Sequence, residues 1–446
     1  MTRYVARHTP VQRGVAAWNA ILGPQKSSHP LDRNITADFC IVGAGFAGLS
    51  AARRLRQLAP TARIVVLDAG RIADGAAGRN SGFMIDLPHD LASEDYAGAG
   101  DDGLVTALNR RAISFGADAV TEYGIQADYF DCVGKVNGAA SAAGHGHNVS
   151  YAAHLKSLNE PHEMLDARQM AEMTGSHHYV SGLFTPGTVM LQPAGYIRGL
   201  ARGLCEQGVE VYENSAVSAF EKQGSDWIVH TASGRVAAGR IILGVNGHLE
   251  SFGVAKGRLM QLFLFATMTK ELDSDARARL GGADRWGITP SDPMGTTMRR
   301  IDAGQGGHRL VTRTCAVLRP GMQAKASDLV RAEKVMRRKF DQRFPQLEGM
   351  EMAYSWAGHL CLSLNGVAVA REIDQGVFSA CVQNGLGTAR GTLTGIAAAE
   401  MAIGQTSEAT EFFASEAEPK RLPPRPFSDL GANAVLRWRE FRAREE

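Results

Sequence analysis

The stretch from residue 37 to Asp68 constrains the fold of this chain more than any other part of it. A short apolar run at residues 39–42 is followed at once by the glycines of a G-x-G-x-x-G pattern. Apolar residues then recur at helical spacing as far as Leu58, and a second apolar run at residues 64–67 ends at Asp68. This order predicts a strand, a glycine turn, a helix and a second strand that ends in an acid.

Each glycine of the pattern has its own task in a dinucleotide-binding unit. Gly43 permits the tight turn, Gly45 lets the backbone approach a pyrophosphate, and Gly48 lets the helix pack closely on the sheet. The helix N-terminus offers N–H groups and a partial positive charge to the phosphates. Asp68 follows Gly48 by twenty residues, and an acid there accepts hydrogen bonds from ribose hydroxyls, which favours FAD or NAD over NADP.

The composition narrows the class of protein. A chain of 446 residues with 44 % apolar and 21 % charged residues is typical of a globular protein of more than one domain. The net charge of +2 gives no reason to expect a nucleic-acid partner. Six scattered cysteines without a C-x-x-C pattern indicate reduced thiols in the cytoplasm and argue against a metal site. No apolar run is long enough for a transmembrane helix, and the sequence does not indicate an oligomeric state.

Two further segments have little side-chain bulk. Residues 75–82, directly after the ribose acid, contain three glycines and two alanines, and such a backbone suits close passage along a flat ligand. Residues 377–382 are predicted to form a strand that runs through Gly385 and Gly387 into a helix. The N-terminus of that helix is expected to face a polarised or anionic group.

The chain contains one dinucleotide fingerprint. The glycines at residues 304–307 do not precede an apolar helix, those at residues 144–146 do not follow a strand, and no cysteines are paired for redox chemistry. A single nucleotide is therefore expected, with the substrate itself as the reductant. This pattern is typical of flavoproteins that oxidise a small molecule directly.

On these motifs the chain resembles the D-amino-acid-oxidase-like family of FAD-dependent oxidoreductases, which includes the glycine and sarcosine oxidases, over nearly its whole length. Further short motifs resemble the gamma-glutamylputrescine oxidoreductase branch of that family. They are the Gly-Arg-Asn-Ser-Gly block at 78–82, Met-Arg-Arg at 298–300, Phe-Pro-x-Leu at 344–347, Ser-Trp-x-Gly at 355–358 and Asn-Gly-x-Gly at 384–387.

The resemblance implies an α/β fold in which a Rossmann-like FAD-binding domain is interleaved with an antiparallel-sheet α+β substrate domain. The predicted segments are an N-terminal arm (1–34), an FAD-binding domain (35–100, 180–250 and 350–410), a substrate-binding or cap domain (101–179 and 251–349) and a C-terminal tail (411–446).

The resemblance also implies the contacts of the cofactor. Related sarcosine oxidases attach flavin through a cysteine whose position falls near Gly358, and because Cys361 is offset from it, non-covalent FAD is expected. The expected cofactor-binding residues are Gly43, Gly45, Gly48, Asp68, Ala69, Arg71, Ala77, Gly78, Arg79, Asn80, Ser81, Val217, Asn246, Gly358, Gly385, Leu386, Gly387 and Thr388.

The implied activity is oxidation of a C–N bond in a small amine or amino acid. A neutral amine would pass a hydride from its α-carbon to flavin N5, and the resulting imine would hydrolyse. Arg300 is the candidate that holds a substrate carboxylate, from a set that also includes Arg299, Arg309 and Arg313. His359 is the candidate that assists the reaction, since it follows the return strand toward the flavin.

The electron acceptor and the substrate stay open at this point. Sarcosine oxidases use a lysine beside the flavin to activate oxygen, and residues 309–313 contain none, so the acceptor is either O2 or an electron carrier. One alternative is an FAD-dependent 2-hydroxy-acid or polyol-phosphate dehydrogenase. Another is a flavin-binding subunit of a larger dehydrogenase complex.

Overall fold

The structure is a computed structural model that describes residues 2–25, 29–88 and 100–446. The predicted arm and the predicted segment 35–100 therefore each include residues outside this description, namely 1, 26–28 and 89–99. The helices are α1 (Ala17–Ala20), α2 (Phe46–Leu58), α3 (Asp102–Glu122), α4 (Ala142–Ser157), α5 (Ala167–Thr174), α6 (Pro193–Glu206), α7 (Ser274–Leu280), α8 (Ala326–Arg343), α9 (Ala389–Ala402), α10 (Glu408–Ser415) and α11 (Phe427–Arg442).

Twenty strands are interspersed among these helices in the described residues. They are β1 (Arg3–Val5), β2 (Asn34–Val42), β3 (Ile64–Leu67), β4 (Phe83–Met84), β5 (Phe130–Asp131), β6 (Lys135–Ala139), β7 (Glu163–Asp166), β8 (Ser181–Thr185), β9 (Val189–Leu191), β10 (Glu210–Tyr212), β11 (Ala219–Gln223), β12 (Asp226–His230), β13 (Arg235–Leu243), β14 (Leu259–Thr269), β15 (Trp286–Pro290), β16 (Thr297–Ile301), β17 (Arg309–Leu318), β18 (Met352–Ser363), β19 (Val369–Asp374) and β20 (Val377–Cys381).

The first sheet contains the predicted strand–turn–helix–strand unit at its centre. Its order is β1-β11-β12-β13-β2-β3-β10. In addition, β20 pairs with the carboxyl-terminal residues 241–243 of β13 and with β19. The strands β10, β3, β2, β13 and β20 are parallel to one another. Their carboxyl ends therefore meet at one edge, where ligands bind in sheets of this kind.

Helices pack closely on one face of the first sheet because small residues line their contacts. In α9, a Cβ placed on Gly395 would lie 2.1 Å from the carbonyl oxygen of Ala47 in α2. Apolar side chains of both helices, including Leu49, Leu55 and Leu393, fill the core beneath them. The opposite face of the sheet is covered by a second core that contains Trp227.

The second sheet has the order β18-β14-β17-β16-β15-β6-β8-β7. All its neighbouring strands are antiparallel except β15 and β6, which are parallel. The helix α8 packs against β14, β17 and β18. A third, small sheet has the order β4-β9-β5. The mixed α/β architecture that the sequence predicted is confirmed.

The residues that belong to each sheet do not follow the boundaries of the predicted segments. Both β8 and β18 belong to the second sheet, although segments 180–250 and 350–410 were assigned to the FAD-binding domain. β18 pairs with β14 along almost its whole length, so the chain returns to the first sheet only after residue 363. The helix α3 contacts α6 and α9, which places it beside the first sheet rather than the second.

Both ends of the chain pack on the body of the protein. In the N-terminal arm, β1 pairs with β11, and Trp18 is completely buried. In the C-terminal tail, α11 packs against β17. Within the described residues, which include all six cysteines, no disulfide is formed. No helix in the described ranges is long and apolar enough to cross a membrane.

Candidate cofactor and substrate site

A cavity of about 780 Å³ is lined by residues of both large sheets. One part is lined by the loops at the carboxyl ends of β2, β3 and β13. Another part is lined by the loop at residues 75–81 and by the start of α9. The remaining part is lined by the second sheet and by α11. The residues of the second sheet, its loops and α11 are Leu262, Leu264, Phe265, Ala266, Thr289, Pro290, Pro293, Met294, Thr297, Arg313, Ala316, Gly358, His359, Leu360, Leu362, Leu436 and Arg439.

The first glycine turn closes so tightly that two of its three glycines admit no side chain. Gly43 has φ +101°, and a Cβ on it would lie 2.6 Å from the carbonyl oxygen of Gly244. A Cβ on Gly48 would lie 1.8 Å from the carbonyl oxygen of Gly43. Gly45 is different, because the nearest atom to a Cβ there is the Ala77 Cβ at 3.6 Å. The space above Gly45 is open to a ligand.

The N-terminus of α2 faces this space. Gly45 is its N-cap residue and provides no side-chain capping bond. Residues 43–47 line the cavity. The N-terminus of a helix that opens into a cavity in this way attracts phosphate, because the first N–H groups have no partner within the helix.

Asp68 lies beside the same turn. Its Oδ2 accepts a hydrogen bond from the Ala44 N–H at 2.8 Å, and its Oδ1 accepts one from the Gly70 N–H at 2.9 Å. Burial raises the pKa of Asp68, and these two hydrogen bonds act in the opposite direction. Each oxygen keeps a lone pair for a ribose hydroxyl.

The loop at residues 75–82 is held in place by side chains from two distant parts of the chain. The Trp18 indole donates to the Asn80 carbonyl at 2.9 Å, and the Trp356 indole donates to the Arg79 carbonyl at 3.0 Å. The Arg79 guanidinium donates to the carbonyls of Asp74 and Ala357, among others. This fixes Ala77, Arg79, Asn80 and Ser81 along the cavity wall.

The second glycine turn leads into α9 at the opposite wall. Gly385 has φ +89°, and residues 385–388 all line the cavity. The side chain of Asn384 accepts from the Ser363 N–H at 2.8 Å and donates to the Val367 carbonyl at 2.8 Å, which fixes the turn. Thr388, the N-cap of α9, donates its hydroxyl to the Phe83 carbonyl at 2.7 Å.

The other predicted cofactor residues divide into two groups. Sixteen residues of the predicted set line the cavity, among them Ala69, Arg71, Val217 and Gly358. Asn246 is one of the sixteen, with φ +48° and a buried Oδ1 that has no partner among the described residues. Gly48 and Gly78 are not part of the lining. They act by close packing, since a Cβ on Gly78 would lie 1.9 Å from the Ala73 carbonyl oxygen.

These observations fit a dinucleotide that carries a flat ring system. The cradle at Gly45, the acid at Asp68 and the orphaned Asn246 Oδ1 fit the nucleotide half. The loop at residues 76–81 and the start of α9 fit the ring half. The described residues contain no cluster of three or more His, Cys, Asp or Glu side chains that could hold a metal ion.

Cys361 lies on β18 three residues after Gly358 and is fully buried. A Cβ on Gly247 would lie 2.8 Å from the Cys361 Cβ, so the cysteine faces that turn, and it is not among the residues that line the cavity. Burial raises the pKa of its thiol well above the usual value. A buried, protonated thiol outside the cavity is consistent with non-covalent FAD.

The structure places two of the candidate arginines, Arg300 and Arg313, in different surroundings. Arg300 is buried, and it donates to the carbonyl of Gly281 and to Asp284 Oδ1, the latter at 3.1 Å. Because neighbouring residues of a strand point to opposite faces, Arg300 shares a face with the core residue Met298 and not with Thr297, which lines the cavity. This position does not support the carboxylate-binding role that the sequence suggested for Arg300.

Arg313 occupies the position that Arg300 was expected to have. It pairs with Thr297 across β16 and β17 and lines the cavity. Its Nε donates to the Ser81 hydroxyl at 3.3 Å, which places the guanidinium next to the ring half of the cofactor region. Arg299 has a supporting role instead, since it donates to the carbonyls of Gly82 and Leu191 at 3.0 and 2.6 Å.

His359 borders the cavity, but its side chain is directed elsewhere. Its Nε2 lies 2.9 Å from Gln261 Oε1, and its ring packs against Phe263 with the centroids 5.2 Å apart. Burial, with a smaller contribution from His248, lowers its pKa to about 4. A neutral histidine held in this way fits a structural role better than the predicted catalytic one.

Three sets of residues at the cavity were not indicated by the sequence. Thr9, Pro10 and Gln12 of the arm and Leu436 and Arg439 of α11 line it directly. They lie in the N-terminal arm and the C-terminal tail, whose roles the sequence did not indicate. The buried Lys135 lies just behind the wall, where it donates to the hydroxyl of Thr289 at 3.3 Å and to Asn137, and burial lowers its pKa to about 8.

Comparison with known families decides which dinucleotide enzyme this site belongs to. The family model described as FAD dependent oxidoreductase (DAO) matches residues 38–401. The chain belongs to this family. This DAO-family protein is therefore an FAD-dependent oxidoreductase, and the resemblance inferred from the motifs is confirmed.

Relatives of the chain match it over most of their length. Gamma-glutamylputrescine oxidoreductase of Escherichia coli is 26 % identical over 412 residues, which are 89 % of this chain and 89 % of that protein. A protein named probable oxidoreductase OrdL from Rhizobium meliloti is 24 % identical over 415 residues, 90 % of this chain and 91 % of its own.

Solved structures of the DAO family share the fold. Glycine oxidase from Geobacillus kaustophilus superposes with a TM-score of 0.68 at 16 % identity, covering 83 % of this chain and 96 % of that one. Iminodiacetate oxidase from Chelativorans sp. BNC1 superposes with a TM-score of 0.63 at 15 % identity and the same coverage of both chains, 83 % and 96 %.

Proposed function

We propose that this FAD-dependent oxidoreductase oxidises a C–N bond of a small amine or amino acid whose carboxylate is bound by Arg313. The position of Arg313 carries the proposal. Its guanidinium lies in the cavity beside Ser81, where a planar fork of N–H donors suits a carboxylate. The names of the relatives and of the structural neighbours, which include an amine oxidoreductase and two amino-acid oxidases, support an amine substrate.

When bound, FAD accepts the hydride that leaves the α-carbon of the substrate. The protein contributes orientation and electrostatics. Arg313 fixes the carboxylate, and the apolar side chains of Leu264, Pro293 and Met294 line the same part of the cavity and limit its water. The start of α9 directs a positive potential toward the cavity, which favours negative charge at that wall.

The substrate amine binds in its neutral form. The cavity-lining residues that the described ranges place on the second sheet and α11 include no carboxylate, and the histidine among them, His359, is neutral, so a protonated amine would find no counter-charge there. A neutral amine also has the lone pair that supports departure of the hydride. The imine product then hydrolyses in water to a carbonyl compound and an amine or ammonia.

A panel of candidate reductants tests this proposal. The purified yellow protein is mixed anaerobically with amino acids, N-methyl amino acids, polyamine derivatives and 2-hydroxy acids, and the flavin absorbance is followed. Bleaching by a carboxylate-bearing amine is the expected result, whereas bleaching by hydroxy acids alone would contradict it. Admitting O2 afterwards shows whether oxygen or a separate electron carrier is the acceptor.

A cytoplasmic location, suggested by the six unpaired cysteines, is part of the same proposal.

Arg313→Gln measures the contribution of the guanidinium. We expect KM for the amine that bleaches the flavin to rise 10- to 100-fold, because a charged hydrogen bond contributes about 1.5–3 kcal/mol. Arg309→Gln, on the same strand, is the control. Arg309 donates to the Thr269 carbonyl at 3.0 Å and does not line the cavity, so the KM of the Arg309→Gln variant should equal that of the wild type. Equal effects of the two substitutions would reject the role of Arg313.

A further inference from the structure

The helix α11 forms part of the wall of the cavity. Leu436 and Arg439, three residues apart in α11, both line it, as expected for positions on the same face of a helix. Leu430, Trp438 and Phe441 are exposed on the other side of the helix, and Arg439 is itself exposed to solvent where it lines the cavity. The C-terminal tail therefore presents one arginine and one leucine to the substrate end of the site.

Several contacts fix α11 in this position. The side chain of Asn433 accepts from the Leu318 N–H at 3.0 Å, and Glu440 accepts from the Arg331 guanidinium at 2.6 Å. After the helix, the carboxylate of Glu446 is buried and accepts from the N–H groups of Ala140 and Ser141, both at 3.0 Å. Further bonds to this carboxylate come from the hydroxyls of Ser141 and Ser291, at 2.6 and 3.1 Å.

The charge of Arg439 is not used in an ion pair of the described structure. Its neighbour Arg437 pairs with Glu440 at 2.7 Å, and Arg331 pairs with the same glutamate. Within the described part of the chain, no acidic side chain pairs with Arg439. The acidic residues that line the cavity, Asp68 and Asp74, belong to its nucleotide end.

We propose that the substrate carries a second carboxylate at the end remote from the reacting amine, and that Arg439 binds it. This inference rests on the proposed function, because it assigns a further part of the same substrate cavity. Arg313 holds the carboxylate beside the ring half of the cofactor region, and Arg439 holds the distal one at the α11 wall. The substrate class is therefore an amine with two carboxylates joined by an apolar spacer, which Leu436, Met294 and Pro293 contact.

Binding of unreactive carboxylates to the FAD-loaded protein tests the proposal without turnover. Straight-chain dicarboxylates from succinate to pimelate are compared with monocarboxylates of the same length, and dissociation constants are read from the change in the visible flavin spectrum. In the wild type, at least one dicarboxylate should bind tenfold or more tightly than its monocarboxylate. Arg439→Gln should reduce this ratio to below twofold and leave the monocarboxylate constant unchanged.

Arg442→Gln is the matched control, because it removes the same charge from the same helix. Arg442 lies over the Trp438 ring, with its Cζ 5.1 Å from the centroid, and does not line the cavity. The dicarboxylate ratio should stay at its wild-type value in this variant. Thermal unfolding of both variants checks that α11 is intact, and Arg439→Lys, which keeps the charge, should retain part of the ratio.

The outcomes separate this inference from the proposed function. A wild type that binds no dicarboxylate more tightly than its monocarboxylate would overturn the distal site, as would an equal loss in Arg439→Gln and Arg442→Gln. If amines bleach the flavin but the ratio does not depend on Arg439, only the distal site fails. If the ratio depends on Arg439 but no amine bleaches the flavin, the distal site stands and the proposed activity fails.

Discussion

At the scale of single residues, the cofactor site depends most on positions where no side chain fits. Gly48 and Gly78 never reach the cavity, yet a Cβ on either would lie within 2 Å of a backbone carbonyl oxygen, at 1.8 and 1.9 Å. Backbone atoms cannot move away as a flexible side chain can. We therefore expect substitution at these positions to displace the loops that line the cavity.

Gly48→Ala should weaken FAD binding by 10- to 100-fold, because relieving the overlap with the Gly43 carbonyl costs about 1–3 kcal/mol. Gly146→Ala is the control. Both glycines lie inside α-helices, but a Cβ on Gly146 meets no atom within 4 Å, so it should only stabilise α4 by about 0.5–1 kcal/mol. FAD titration of the apoprotein and thermal unfolding measure the two effects. Wild-type FAD affinity in Gly48→Ala would contradict the packing argument.

The residue scale also shows where the sequence was sufficient and where it was not. The glycines and Asp68 could be predicted because their roles depend on spacing within one continuous segment. Arg300 and Arg313 could not be distinguished, because the face to which a strand residue points depends on the register of the whole sheet. His359 looked catalytic by its position in the chain, and only its contact with Gln261 reveals the structural alternative.

At the scale of elements, the loop at residues 75–82 has no regular structure of its own except the short turn Ala76–Gly78. Its position depends on the indoles of Trp18 and Trp356, which come from the arm and from β18. The loop thus joins the first sheet, the second sheet and the arm at the cofactor region. Any of the three can alter the shape of the site.

Trp356→Phe should weaken FAD binding about tenfold while keeping the fold. The substitution leaves the buried Arg79 carbonyl without its indole donor, and an unsatisfied buried acceptor costs about 1–3 kcal/mol. Trp438→Phe is the control, because Trp438 is 56 % exposed and lies outside the cavity. Dissociation constants for FAD compare the two variants. Unchanged affinity in Trp356→Phe would show that the loop holds its position without this bond.

Element prediction failed where the composition was misleading. Residues 138–150 are rich in glycine, alanine and histidine, a composition that favours a loop, yet α4 begins at Ala142 within them. The hydroxyl of Ser141 caps this helix by accepting from the Gly144 N–H at 3.0 Å, and tertiary contacts, including that of Glu446, stabilise it. Tertiary packing of this kind overrides weak helix propensity and is not visible in a local sequence pattern.

At the scale of the whole molecule, the two large sheets are held together by buried side chains between them. His359 of β18 is one of these, packed beside Gly247 of the turn that follows β13, where a Cβ would lie 3.0 Å from its ring. Its pKa is lowered to about 4 by burial. The native protein therefore keeps this ring neutral at a pH where the unfolded chain would protonate it.

The free energy of unfolding should fall as the pH decreases from about 6.5 to about 4. In this range the unfolded chain binds a proton at His359 that the native state excludes, which lowers stability by up to about 1.4 kcal/mol per pH unit. The His359→Gln variant lacks this contribution, so its free energy of unfolding should change less steeply with pH than that of the wild type. His178, whose pKa is also lowered to about 4, contributes equally in both proteins. Urea unfolding at several pH values measures the slopes, and identical slopes would contradict the prediction.

The central sheet also has a consequence for synthesis of the chain on the ribosome. β2 lies between β3 and β13, and β13 in turn pairs with β20, so neighbours in the sheet are translated far apart. At about 5–20 residues per second, the segment between β2 and β13 takes about 10–40 s to make. Throughout that time the nascent chain presents β2 with one unpaired edge, which can pair with another chain. The cavity is lined on one side by residues 385–388, so it is complete only once these residues have emerged, and we expect a chain that ends before them to bind FAD poorly.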